Sequence, residues 1–286
     1  MKQAVFLMTS LNGVRKATFR KQLTNLLERE VQVTVMLAMM DFNKYWIVKG
    51  IFNRLMKGLP NSHGVNLVTL PELFRDSHGI PLSEDERHDI NFSGLTEREV
   101  VTDDGHTVLR YLNDHGHIVA ELVLSQDNDP LELNQFDHDH ICQTNTYDES
   151  GRVIGIQKFD EEETLAESYL LNVNEEAVYR FVRHERNVKL AVNVAETANI
   201  VPRTLQDETS FSQADSDHAS DTTLMTMSED YFEVVDYVTY KRYADLYAFD
   251  ELVLQQFNDP NTRWFINLDD NAQLAPLLQN HLIFNY

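Results

Sequence analysis

Residues suited to chemistry fall in three places along this chain. His138-Asp139-His140 sets two imidazoles on one face of an extended strand, as a metal pair would require, and His106, His115 and His117 lie in neighbouring turns or strand starts. The spacing is not that of a zinc site, and the lone cysteine, Cys142, excludes a cysteine-based one, so no metal is expected. The loop Ser10-Leu11-Asn12-Gly13 joins an apolar run to a helical pattern. In an open α/β sheet such a loop lies beyond the carboxyl ends of the strands, where a helix N-terminus offers free N–H groups to an anion or hydroxyl. Ser10, Asn12 and Gly13 are therefore substrate-binding candidates, although a βα turn needs a glycine for its geometry alone. Asp269-Asp270 follows a predicted strand and suits a metal or a sugar hydroxyl, or is an acid pair on a surface loop; Asp269 joins the substrate-binding candidates. No catalytic residue can be assigned. Gly-x-Ser-x-Gly, a phosphate loop ending in Gly-Lys-Ser/Thr, and Gly-x-Gly-x-x-Gly are all missing.

The elements that must position these residues are of two kinds. Ala4–Met8 reads as a buried strand, residues 9–13 as a tight loop and Val14–Glu30 as a helix, with Val14, Phe19, Leu23, Leu26 and Leu27 at helical spacing. Val31–Met39 then reads as a second strand, which makes a βαβ unit of a parallel sheet. A helix over 42–58, ended by Gly58 and Pro60, and a strand at Val65–Leu70 follow, with 71–95 as a loose joint. From Arg98 to Asn172 the texture changes to short alternating strands. They are separated by turns such as Asp103-Asp104-Gly105, Asn113-Asp114-His115-Gly116 and Asp148-Glu149-Ser150-Gly151. Each turn supplies a residue tolerant of positive φ, the signature of an antiparallel meander. Beyond it the pattern predicts a helix over 174–184 capped by Asn174, and a strand or continued helix at Val188–Val194. An acidic loop over 206–230, a helix over Tyr240–Phe257, a strand at Arg263–Leu268, a short helix over 272–280 and a last strand at Leu282-Ile283-Phe284 follow.

At 286 residues and 42% hydrophobic content the chain can fill a substantial core. A formal net charge of −22 argues against nucleic acid and disfavours an anionic membrane face. The one local basic candidate, Arg15, Lys16, Arg20 and Lys21, also reads as a solvated helix face. No run is apolar enough for a transmembrane segment, and Ala4–Met8 is too short for a signal-peptide core, so a cytoplasmic location is expected.

The order of these pieces resembles the N-terminal part of the retaining bacterial glycosyltransferases that modify wall teichoic acid, of poly(glycerol-phosphate) or poly(ribitol-phosphate) type, and the related adhesin-modifying transferases. The resemblance rests on the opening Lys2–Leu27 and on Leu109-Arg110-Tyr111 with Gly116-His117-Ile118-Val119. It extends to Tyr147–Val153 and to the run Tyr243–Leu278, with Phe257–Thr262 and Phe265-Ile266-Asn267. It implies α/β plus antiparallel β: an incomplete GT-B-like Rossmann domain with an inserted β-meander domain. Residues 1–95 would be the first part of the Rossmann-like acceptor domain, 96–173 the insert, and 174–286 the return with its acidic loop. Two departures stand out. The opening loop carries only Gly13 where the group has a glycine pair. The donor-binding domain with its Glu-x7-Glu pair lies outside these residues, and Glu167 and Glu175 match that spacing by chance in a Glu-rich chain. The resemblance thus implies an acceptor-side half, inactive alone, of an enzyme that moves sugar from a nucleotide-sugar donor to a hydroxyl on a polymer or protein. His115, His117, His138 and His140 would serve acceptor contact or an interface, adding positive charge at mildly acidic pH. A homo-oligomer or a partner glycosyltransferase subunit is expected, and the alternative is a non-catalytic stabilising or substrate-recognition subunit.

Overall fold

The structure is a computed structural model that describes residues 3–102, 105–193, 222–257, 259, 261–278 and 282–286, the side chains of 189–193 and 222–227 excepted. Strand β1 (Gln3–Met8) is buried on both faces from Ala4 to Met8, as a central parallel strand must be. Helices α1 (Leu11–Arg15) and α2 (Ala17–Leu27) lead to β2 (Gln32–Leu37), and α3 (Tyr45–Lys57) leads to β3 (Val65–Thr69), which runs into the single turn α4 (Leu70–Leu73). The predicted helix over Val14–Glu30 is therefore two helices, broken where Lys16 adopts an extended ψ of 131°. The predicted tight loop is shorter too, because Ser10 already caps α1.

The antiparallel strands are β4 (Thr96–Val101), β5 (Thr107–Leu112), β6 (Ile118–Leu124), β7 (Pro130–Asp137), β8 (His140–Tyr147), β9 (Val153–Phe159), β10 (Leu165–Leu171), β11 (Ala177–Asn193), β12 (Thr222–Asp236) and β13 (Arg242–Tyr243). The chain closes with α5 (Leu246–Gln255), β14 (Thr262–Ile266), α6 (Leu268–Leu274) and β15 (Ile283–Asn285). Two sheets result: a five-stranded one in the order β15-β14-β1-β2-β3, with parallel pairing throughout, and a ten-stranded one running from β13 to β4 in reverse chain order. Contacts divide the chain into two compact units, Arg183–Phe232 and the remainder. The smaller unit holds the outer parts of β11 and β12, where Arg183 pairs with Asp230 at 2.7 Å and Arg186 with Glu229 at 3.2 Å.

The parallel sheet is cemented by an aromatic cluster. Phe6 meets Phe19 edge-on at 5.2 Å, stacks on Phe265 at 4.5 Å and touches Tyr286 at 5.6 Å. The predicted meander is present but does not end near residue 172. The helix predicted over 174–184 is strand β11, paired antiparallel to β10. Val178, Tyr179, Phe181 and Val182 prefer a pleated surface, and Asn174 sits in a turn rather than at a helix cap. There the Asn172 side-chain oxygen accepts the N–H groups of Asn174 and Glu176, both at 2.9 Å. The predicted acidic loop over 206–230 gives way to β12 from Thr222 onward, while 206–221 lie outside the described residues. The helix predicted from Tyr240 begins only at Leu246, because Asp245 caps it, accepting the Ala248 N–H at 2.9 Å, and Arg242–Tyr243 pairs with β12. The short helix predicted over 272–280 lies earlier, at Leu268–Leu274, with Asn267 as its cap.

The predicted loose joint over 71–95 is instead a strap across one face of the antiparallel sheet. Gln143, wholly buried, accepts the His88 N–H at 3.0 Å and donates to the His88 carbonyl at 3.0 Å; Gln135 donates to the same carbonyl at 2.8 Å. Arg87 reaches Glu175 at 2.9 Å, and the Tyr237 hydroxyl donates to Glu86 at 2.6 Å. The opposite face carries the connection after β2. The Ser168 hydroxyl donates to the Met40 carbonyl at 3.1 Å, the Asn43 N–H donates to Gln157 at 2.7 Å, and Phe42 packs where Gly155 leaves room. Among the described residues no helix is long and apolar enough to cross a membrane.

Candidate functional site

β1 and β14 are parallel neighbours, so their carboxyl ends leave the sheet side by side, one into α1 and the other into α6. This brings two of the sequence-predicted places together. Ser10 caps α1, its hydroxyl 3.4 Å from the Gly13 N–H, and Asn267 caps α6. Lys16 bridges the two segments, donating to the Asn267 side-chain oxygen at 2.5 Å and to Asp269 at 2.7 Å. Hydrogen bonding to Lys16, reinforced by its charge, holds the exposed Asp269 carboxyl below its ordinary range. The Thr9 hydroxyl donates to Asp270 at 2.7 Å, yet burial pushes the Asp270 carboxyl up. Behind it Asp250, on α5, is only 3% exposed and its carboxyl accepts no hydrogen bond among the described residues; burial first, then Asp270 and Asp245, raise that carboxyl well above the ordinary range.

The four substrate-binding candidates separate here. Asn12 and Asp269 are exposed and Ser10 is half-buried, so all three reach the sheet edge. Gly13 is buried inside α1, where a Cβ would lie 3.2 Å from the Met8 sulfur and 3.5 Å from the Tyr286 hydroxyl. Its small size serves the packing of α1 on β1. Lys16, which the sequence offered only as one of four helix cations, is the residue that ties the edge together. Its partners lie 251 and 253 residues away, so no local pattern could have singled it out.

The histidines gather elsewhere. His115 and His117 belong to the β5–β6 connection and His138 and His140 to the β7–β8 reversal. In an antiparallel sheet alternate reversals share one end, which places all four at the end opposite the β8–β9 turn. His117 lies 3.6 Å from Asp139, His138 lies 2.7 Å from Asp137, and His140 lies 3.7 Å from Glu163. Among the described residues no set of three or more His, Cys, Asp or Glu side chains is arranged to hold a metal ion. Glu167 and Glu175 are structural partners: Glu167 takes Arg180 at 2.6 Å and the Tyr169 hydroxyl at 2.7 Å, and Glu175 takes Arg87 and the Val153 N–H.

At the other end of the antiparallel sheet, a cleft of about 270 Å³ opens between α3, the residues after α4 and the β8–β9 turn. Tyr45, Lys49, Arg75, Glu149 and Arg152 line it. Sequence reasoning missed it entirely.

No protein-family model and no curated protein matches this chain. Solved structures do match its fold. TarM, a teichoic acid glycosyltransferase, aligns with a TM-score of 0.57 at 9% identity, over 100% of this chain and 49% of its own. The pneumococcal O-GlcNAc transferase GtfA, solved in complex with UDP and GlcNAc, aligns with a TM-score of 0.55 at 10% identity, over 99% of this chain and 47% of its own. The fold is that of these glycosyltransferases. The glycosylation-associated Gap123 complex from Streptococcus agalactiae aligns with a TM-score of 0.51 at 9% identity, over 99% of this chain and 51% of its own. The chain therefore spans about half the length of the structures it resembles, and the resemblance read from the order of its elements is borne out at the level of fold.

Proposed function

We propose that this chain is the acceptor-side half of a glycosyltransferase that moves sugar from a nucleotide-sugar donor to a hydroxyl on a cell-wall polymer or a protein. The observation that carries this reading is the fold match along the whole chain to about half of TarM and of GtfA. In this reading the parallel sheet is one Rossmann-like half of a GT-B enzyme, begun by 1–95 and resumed at β14, and the antiparallel sheet is the inserted domain. Ser10, Asn12 and Asp269, joined by Lys16, face the cleft where donor and acceptor meet. The antiparallel sheet serves acceptor binding or association with a like or partner subunit, with His115, His117, His138 and His140 at its far end. Nucleotide sugars are cytoplasmic metabolites, which suits the expected location.

Chemistry requires more than this half holds. A departing nucleoside diphosphate and a developing oxocarbenium ion need charges already in place around them. At the sheet edge Lys16 is already engaged by Asn267 and Asp269. The prediction is direct. Calorimetric titration of UDP-N-acetylglucosamine into the 286-residue chain gives no binding tighter than millimolar, and micromolar affinity would overturn the acceptor-side assignment. A second reading, a non-catalytic subunit that stabilises or presents substrate to an active transferase, is favoured by the match to Gap123, a glycosylation-associated complex. It requires that the chain raise the activity of a separate transferase without being covalently continuous with a donor domain.

A further inference from the structure

The cleft beside α3 collects three cations from three separate elements: Lys49 from α3, Arg75 from the turn after α4, and Arg152 at the start of β9. Three acids line the same cleft, Glu72, Asp148 and Glu149, so its affinity for an anion depends on how firmly each charge is already held. The side chains differ in how they are held. Arg152 is tied into its own turn, its guanidinium donating to the Ser150 hydroxyl at 2.8 Å and pairing with Asp148. Lys49 is well covered, its side chain 15% exposed, and it donates to Glu149 at 2.9 Å and to the Tyr45 hydroxyl at 3.2 Å. The Arg75 guanidinium makes no hydrogen bond or ion pair among the described residues. Its backbone is nevertheless anchored, since the Arg75 carbonyl accepts the Val173 N–H at 2.8 Å.

The acids of the cleft are unequal in the same way. Glu72 is committed to the cap of α4, accepting the Thr69 N–H at 2.9 Å. Asp148 accepts the N–H groups of Ser150 at 2.8 Å and Arg152 at 3.1 Å. Glu149 is 74% exposed, and Lys49 is the partner its carboxylate has. One carboxylate can therefore leave at the cost of a single ion pair, exposed on the Glu149 side, and an entering phosphate keeps the covered Lys49 paired.

We infer that this cleft binds a phosphate-bearing ligand, with Arg75 and Lys49 as its charged contacts and Glu149 as the carboxylate that the phosphate displaces. A dianion accepts more charge-assisted hydrogen bonds than the carboxylate it replaces, and an arginine fork matches phosphate geometry. The volume of about 270 Å³ exceeds what the phosphate needs and leaves space for a polyol or sugar esterified to it, against Tyr45 and Leu171. The inference does not depend on the sugar-transfer reading, since the same site could serve a chain with no part in glycosylation.

The test is amide-resolved NMR on the full 286-residue chain, titrated with inorganic phosphate and with glycerol 1-phosphate, against sodium chloride at matched ionic strength. Saturable shifts at Lys49, Arg75 and Ser150 are expected with both phosphates and not with chloride. Arg75→Gln should weaken the binding by about tenfold or more, as removal of one charge-assisted hydrogen bond to an anion does. Glu149→Gln should tighten it severalfold, because Lys49 is freed; that opposite direction separates a binding effect from a folding one. Tighter binding of glycerol 1-phosphate than of inorganic phosphate marks the ligand as an ester, and equal or weaker binding marks it as free phosphate. Shifts that merely follow ionic strength, an unchanged affinity in Arg75→Gln, or weaker binding in Glu149→Gln would each overturn the inference.

Discussion

Replacing Gln143 by Met keeps the length of the side chain and removes its amide. Three hydrogen bonds go with it: the His88 N–H to Oε1 at 3.0 Å, Nε2 to the His88 carbonyl at 3.0 Å, and Nε2 to Asn145 Oδ1 at 2.9 Å. The His88 carbonyl keeps Gln135, so it is not stranded. The His88 N–H and the Asn145 oxygen lose their partner; Asn145 is 2% exposed, so water has no easy route to its oxygen, whereas His88 is exposed and water replaces part of its bond. The stranded Asn145 oxygen costs about 1–3 kcal/mol and the lost His88 bond about 0.5–1.5 kcal/mol, partly offset by the apolar thioether, for a net loss of about 1–3 kcal/mol. Urea denaturation followed by tryptophan fluorescence should show a lowered midpoint with an unchanged slope. Native-state hydrogen exchange should show faster exchange at His88, and limited proteolysis should cut within 77–95 sooner than in the parent chain. A destabilisation below about 0.5 kcal/mol with unaltered His88 exchange would refute the idea that buried amides pin this strap.

Two further predictions test the two faces of the same sheet. Gly155→Ala places a Cβ 2.4 Å from the Phe42 ring, and a packed ring cannot yield that far without moving the chain after β2. A loss of about 1–3 kcal/mol is expected in thermal or urea unfolding, whereas a neutral substitution would mean Phe42 is not held there. Glu132, which lies opposite Thr146 on β7, has its carboxyl pushed up to about 7 by burial. Because the folded state then keeps a proton that the unfolded chain has lost, stability falls as pH rises from about 4.5 to 7 and levels off above. Glu132→Gln should remove that slope, with a gain on the order of 3 kcal/mol at pH 8 and little change at pH 4; equal effects at the two pH values would contradict it.

Several of these features could be read from the chain alone. Ala4–Met8 and Val31–Met39 are largely apolar or β-branched runs flanking an amphipathic stretch, a pattern that suits a buried parallel pair with a crossover helix. The turns at Gly105, Gly116 and Gly151 announce their reversals because each requires positive φ, at +84°, +82° and +78°. Local chemistry was sufficient there. It was not for β11, where Val, Tyr and Phe between charged residues satisfy a helical or a strand period about equally, and pairing with β10 decided the outcome. The strap over 77–95 has no period at all, and its order comes from Gln135 and Gln143, about 50 residues further on.

The site divides along the same line. Ser10, Asn12 and Asp269 could be put forward as candidates because loops after parallel strands are where ligands gather, whatever the rest of the chain does. Lys16 became distinct from Arg15, Arg20 and Lys21 only when β14 was laid beside β1. The cleft of Lys49, Arg75 and Arg152 exists because a turn of the antiparallel sheet comes back against α3. Charge at long sequence separation leaves no pattern in a primary structure, since attraction acts through the distance that folding sets and not along the chain.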